Sequence, residues 1–159
     1  MTHSELAGTY FAQGYNCAQS VLLAYREELG LTEENAAALA SGFGGGFGRL
    51  REVCGAFSGA VAVLNMKCGY TSPTDRLAKA VHYARVQRMA ADFRLATGTL
   101  ICRELLDPSR ATTSPVPDAR TAEYYASRPC PALVKLGAQI VEDELKRSDP
   151  EIDPAELAK

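Results

Sequence analysis

The sequence is short of several things, and each shortage removes a class of protein. Its net charge is only −2, with a pI of about 5.7, so no strong global field draws it to nucleic acid or to an anionic membrane. Basic clusters are missing too; Arg49 and Arg51 are a pair, not a patch. The longest uncharged stretch expected to form one helix is the 14 residues from Val53 to Met66. A bilayer span needs about 20. Met1-Thr2-His3-Ser4-Glu5-Leu6 lacks the basic start and apolar core of a signal peptide. The expectation is a soluble cytoplasmic protein with no nucleic-acid partner and no membrane span. Strand alternation is almost absent, no repeat or linker is visible, and no Ser-His-Asp order or paired-carboxylate motif stands out.

What is present is helix. A chain of 159 residues with 47% apolar content is enough for one core and one domain. Asn16 is a good N-cap, followed by the stripe Ala18, Leu22, Tyr25 and Leu29, with Gly30 as the stop. Ser4 is expected to cap a helix before it, carrying Leu6, Ala7, Tyr10 and Phe11. Thr32 with Glu33 and Glu34 opens a short alanine-rich helix. Thr74 is expected to cap a long helix to Thr97, its core stripe His82, Val86, Met89 and Phe93. His82 in that company reads as a hydrogen-bonded core histidine. Thr99 starts a short helix through Leu106, and Pro108, Pro115 and Pro117 make residues 107–117 a loop. Asp118 opens a short helix with Tyr124 and Tyr125, and Arg128-Pro129-Cys130-Pro131 leads into an amphipathic one with Leu133, Leu136, Ile140 and Leu145 inward. These signals predict a single all-α domain, a bundle of about six to seven helices over residues 5–147, with a polar, frayed tail at 148–159.

Residues 42–69 are the centre of that plan. A glycine-rich loop leads to an apolar helix on which Gly55 and Gly59 lie four apart, with Ala56, Ala60 and Ala62 keeping it slim. Glycine inside a helix costs about 1 kcal/mol against alanine, so this face is expected to meet another backbone, or a cofactor, at close range. The loop has no Gly-Lys-Ser/Thr ending and no strand before it, so it is not a phosphate loop. Gly44, Gly45 and Gly46 are expected to form a tight turn before the helix, with Phe43 and Phe47 pinning it to the core. The functional alternative is that Gly44, Gly45, Gly46, Gly55 and Gly59 bind a cofactor or small substrate, through a nest of backbone N–H groups.

The five cysteines are spread over the chain at 17, 54, 68, 102 and 130. In a reducing compartment such thiols point to catalysis, redox sensing or metal binding, against the plain alternative of small core residues. On the helix map Cys17, Cys54, Cys102 and Cys130 each fall in or beside a first turn. There the unpaired N–H groups and the dipole stabilise a thiolate, the form that attacks and that ligates metal. Cys68 falls at the wrong end of its helix, about 21 Å from Cys54, and is read as spare.

The segments Gly14-Tyr15-Asn16-Cys17-Ala18-Gln19, Phe43-Gly44-Gly45-Gly46, Cys54-Gly55-Ala56-Phe57-Ser58-Gly59 and Cys102-Arg103-Glu104-Leu105, with Cys130 beyond, resemble the four-cysteine C-GCAxxG-C-C family, whose signature is CGAxxG. The resemblance spans about residues 5–145. It implies a small helical protein of bacteria or archaea with a thiol redox role, often encoded near transporters, and a distant similarity to split-Soret cytochromes. The Cys-x-x-Cys-His haem motif of those proteins is missing, so covalent haem does not carry over. Cys68 has no counterpart in the family pattern.

Two chemistries then suit four converging thiols. In one, Cys54 is the low-pKa attacking thiolate and another cysteine resolves the mixed disulfide, with an unknown redox partner or small molecule as co-reactant. In the other, Cys17, Cys54, Cys102 and Cys130 hold zinc or an iron–sulfur cluster. No Cys-x-x-Cys pair is present, which weakens zinc and removes a thioredoxin-like motif. A non-catalytic helical binding module is the third reading. Arg49, Arg51 and Arg103 lie near Cys54 or Cys102 and could lower thiol pKa values, although solvated arginines are commoner. Slim helices rich in alanine and glycine also suit a homodimer.

Overall fold

A computed structural model describes all of residues 1–159. It is all-helical, with α1 (His3–Ala12), α2 (Cys17–Ala24), α3 (Glu33–Ala40), the single turn α4 (Gly44–Phe47), α5 (Gly55–Cys68), α6 (Arg76–Thr97), α7 (Cys102–Leu105), α8 (Ala122–Ser127), α9 (Cys130–Lys146) and α10 (Pro154–Leu157). No helix is long and apolar enough to cross a membrane.

Local capping sets most of the starts. Asn16 accepts from Gln19 N and Thr32 from Asn35 N, as their side-chain chemistry predicts. Other boundaries shift by a few residues. Thr2, not Ser4, caps α1, because Glu5 completes a capping box with it. Asp75 rather than Thr74 caps α6, and Thr121 rather than Asp118 caps α8. Asp118 is drawn instead into an ion pair with Arg128. Helix α2 stops at Ala24, and the chain reaches Gly30 through turns, with Tyr25 buried and its hydroxyl donating to Ala138 O at 2.8 Å. The expected frayed tail is tied down: Arg76 donates to Leu157 O at 2.6 Å, and Arg85 pairs with Asp149.

The core forms where α5 is pressed between α2 and α9, with α1 covering the other side of those two and α6 lying along α9. Phe11, Leu22, Leu23, Leu64, Met89, Phe93, Val134 and Val141 are fully buried there. Small residues set the spacing. A Cβ on Gly59 would stand 2.7 Å from Ala18 O, and one on Gly55 3.1 Å from Cys17 Cβ. On the opposite side of α5, a Cβ on Gly137 would stand 2.6 Å from Ala56 O. The close neighbour expected at the Gly55/Gly59 face is therefore the backbone of α2. That contact is also what places the start of α5 against the start of α2. His82 is buried with Nε2 2.7 Å from Asn65 Oδ1, in keeping with a core histidine.

Candidate functional site: four thiols in an arginine-lined cavity

Between the starts of α2, α5, α7 and α9 lies a cavity of about 450 Å³. Cys17, Cys54, Cys102 and Cys130 all line it, and Cys68 does not. Cys17, Cys102 and Cys130 are the first residues of α2, α7 and α9, and Cys54 is the cap of α5. Cys68 is exposed at the last position of α5, with its thiol donating to Leu64 O at 3.4 Å.

Two backbone devices assemble the wall. The first is a short antiparallel pairing that helix periodicity does not reveal: Val53 bridges Ile101, Cys54 N donates to Leu100 O at 2.7 Å, and Cys102 N donates to Glu52 O at 2.6 Å. It sets Cys54 and Cys102 on neighbouring strands of chain. The second is the glycine turn. Gly45, Gly46, Phe47, Gly48 and Arg49 run consecutively at positive φ, and Arg51 follows at φ 63°. For Phe47, Arg49 and Arg51 this left-handed conformation costs roughly 1–2 kcal/mol each. The turn is held by Arg51 N donating to Gly45 O and Glu52 N to Gly46 O. At Gly46 a Cβ would meet Cys102 Cβ and Glu52 N at 2.7 Å, so both φ and space require glycine there.

Of the glycines expected to bind a ligand, Gly44, Gly45, Gly46 and Gly55 line the cavity and Gly59 does not. Gly59 is spent on the helix contact with Ala18. Phe43 packs against the core, whereas Phe47 is 40% exposed and only touches Phe43 edge-on.

The electrostatics come from arginines. Arg49, Arg51, Arg120 and Arg128 line the cavity, with Asp118 the only acid among the lining residues. Arg51 is 3% exposed; its Nε donates to Thr112 O at 2.9 Å and its Nη1 faces Cys102 Sγ at 3.8 Å. Its Nη2 is buried without a partner, as is Nε of Arg128. An unmet buried donor costs about 1–3 kcal/mol, more when charged. Arg128 pairs with Asp118 and stacks 4.4 Å above the Tyr124 ring. Arg120 packs on Phe11 and Tyr124 and donates to Phe11 O and Tyr15 O. Arg103 stays outside, 51% exposed and paired with Glu52. Sequence reasoning named Arg49 and Arg51 as candidates but missed Arg120 and Arg128. Arg128 had a signal, two residues before Cys130; Arg120 had none.

Burial and these charges rank the four thiols. Burial pushes Cys54 up to about 12, against the backbone N–H groups of Ala56 and Phe57 that pull it down. The expectation that Cys54 is the low-pKa thiolate is therefore corrected: the helix start acts as predicted, but desolvation outweighs it. Cys102 is also raised by burial, with Arg51 opposing. Cys130 goes the other way, down to about 7, first through a hydrogen bond from Cys17 and then, against the cost of burial, through Arg128, Arg51 and Arg120. Cys17 rises correspondingly, by donating to Cys130 and by burial. Some of its surface opens to the cavity, although protein packs closely around the sulfur. The arginines act on Cys130, whereas the charges that act on Cys17 are those of the other cysteines.

Four thiols on one cavity also raise the question of a metal or iron–sulfur centre. As the side chains stand, no three of the His, Cys, Asp and Glu residues form a group that could hold a metal ion. The residues in this arrangement do not fit such a centre.

Comparison with known proteins agrees with the layout. A family model described as "Putative redox-active protein (C_GCAxxG_C_C)" matches residues 15–144. No curated protein and no solved structure matches the chain. The matched span contains all four cavity cysteines, the Cys54–Gly59 stretch and every cavity arginine, and the chain belongs to the C_GCAxxG_C_C family.

Proposed function

We propose that the protein is a thiol–disulfide exchange protein in which Cys130 attacks and Cys17 resolves. The observation that carries this reading is that Cys17 and Cys130, the first residues of α2 and α9, line one cavity with Arg51, Arg120 and Arg128, whose charges favour the thiolate of Cys130. The thiolate is the attacking form, and a thiol with a pKa near ambient pH combines thiolate fraction with nucleophilicity best.

The steps balance as follows. Cys130 thiolate attacks one sulfur of a disulfide R–S–S–R, forming Cys130–S–S–R and releasing R–S⁻. That negative charge leaves from beside Arg51 and Arg128. Cys17 loses its proton and attacks Cys130 sulfur, expelling the second R–S⁻ and closing a Cys17–Cys130 disulfide. Two cysteine sulfurs are oxidised and one external disulfide is reduced by two electrons; the single proton of the pair, held by Cys17, goes to one released thiolate, and the other leaves as the anion or takes its proton from water. Cys54 and Cys102, both with raised pKa values, remain protonated at neutral pH and serve as a reserve pair held together by the Val53–Ile101 pairing.

The test is disulfide mapping. Reduced protein is treated with one equivalent of a small disulfide, quenched in acid, digested and analysed by mass spectrometry. A Cys17–Cys130 cross-link is expected, and in Cys17→Ser the mixed disulfide should accumulate on Cys130. A first cross-link between Cys54 and Cys102, or one involving Cys68, would sink the assignment.

A further inference from the structure

The cavity carries more positive charge than two working thiols need. Arg49, Arg51, Arg120 and Arg128 oppose one carboxylate, Asp118, which is already engaged by Arg128 and lies 3.7 Å from Arg49 Nη1. Arg120 is committed to the backbone oxygens of Phe11 and Tyr15. Arg51 is different. It is 3% exposed, it lines the cavity, and its Nη2 has no partner in the protein. A guanidinium held in this way, in a left-handed backbone position and anchored through Nε to Thr112 O, presents a fixed donor with nothing to receive it. The planar fork of arginine matches a carboxylate, which can accept two parallel N–H bonds.

Size and shape narrow the class further. At about 450 Å³ the cavity is in the range of small-molecule sites. Its walls come from residues as far apart in the chain as Asn16 and Leu133, with Pro115 and Pro117 among them. A cavity of this volume suits a small molecule.

We propose that the cavity is selective for small disulfides bearing carboxylate groups, with Arg51 as the principal anion receptor and Arg49 and Arg128 as auxiliaries. This inference rests on the thiol-exchange reading above and adds to it the substrate class and the residues that choose it. A carboxylate in the cavity sits against the guanidiniums of Arg51, Arg49 and Arg128 and holds the substrate's sulfur–sulfur bond among the thiols. Neutral disulfides of similar size lack that anchor, and the exchange steps are otherwise unchanged.

The experiment compares two chromogenic probes on the reduced full-length protein: dithiobis(nitrobenzoate), which carries two carboxylates, and neutral dithiodipyridine. Each rate is divided by the rate of the same probe with a free small thiol. Clefts lined by one sign of charge raise encounter rates by about tenfold or more, so the normalised ratio should favour the carboxylate probe by about that factor. The preference should shrink in Arg51→Gln and at high ionic strength. Inorganic sulfate, as an oxyanion competitor, should slow the carboxylate probe saturably and leave the neutral one alone. A ratio near one that neither Arg51→Gln nor salt alters overturns the selectivity while leaving thiol exchange standing. If Cys130 reacts with neither probe, the exchange reading falls first. Should Arg51→Gln fail to fold, Arg49→Gln and sulfate protection of the unmodified protein decide: no change in ratio and no protection refute the proposal.

Discussion

Replacing Cys130 by Ser should remove the fast thiol of this protein, and replacing Cys54 should not. At pH 7 a thiol with a pKa of about 7 is about half ionised, and one at about 12 is ionised roughly one part in a hundred thousand. The thiolate fraction therefore favours Cys130 by roughly 50,000-fold. Part of that is returned, because a less basic thiolate is a weaker nucleophile. With a Brønsted slope of about 0.45 the loss is roughly 200-fold, which leaves Cys130 ahead by roughly 250-fold. Cys54 is 4% and Cys130 8% exposed, so access leaves that gap nearly unchanged. The assay is alkylation by a small neutral reagent from about pH 5 to pH 9, read by mass spectrometry on each cysteine. Cys130 should follow a sigmoid centred near 7. In Cys17→Ala, which deletes the largest cause of that lowering, the midpoint should climb toward the ordinary thiol value of about 9. Cys68→Ala serves as the control that removes exposed background and leaves the sigmoid in place. A neutral-pH reaction that survives Cys130→Ser and vanishes in Cys54→Ser would refute the electrostatic ranking.

Two further outcomes test the frame around the site. Gly59→Ala should destabilise the fold: helix propensity would gain about 1 kcal/mol, but a Cβ 2.7 Å from Ala18 O is overpacking that costs about 1–3 kcal/mol, and urea unfolding that shows net stabilisation would mean α2 is not seated there. Stability should fall as pH rises above about 9, because the folded state keeps the Cys54 proton up to about 12 while the unfolded chain releases it at the ordinary thiol value. The full gap is worth about 4 kcal/mol, Tyr25, also raised by burial, acts in the same direction, and Cys54→Ala should flatten the alkaline slope measured by denaturant titration.

Helices and their starts were legible because they are local. Asn16 and Thr32 cap through their own side chains, Gly98 ends α6 in a left-handed conformation, and the stripe from His82 to Phe93 follows the helical period. The placement of four cysteines at helix starts followed from the same local rules, as did the exclusion of Cys68. The close approach at Gly55 and Gly59 was visible as a cost without a local reason. Its beneficiary, the backbone of α2 at Ala18, belongs to a residue some forty positions away and had to come from the fold.

The tertiary structure alone decided the chemistry of each thiol. Position at a helix start is common to Cys17, Cys54, Cys102 and Cys130, yet one thiol goes down and three go up. The difference lies in the Cys17–Cys130 pairing, in desolvation and in charges from residues 51, 120 and 128, of which only Arg128 neighbours Cys130 along the chain. The Val53–Ile101 bridge is of the same kind, a strand-like pairing between segments whose local signals read as helix starts. By itself the sequence determined which side chains could react and on which element each would stand. Only the folded chain determined that they share one cavity, that arginines surround it, and that Cys130, not Cys54, has its pKa lowered.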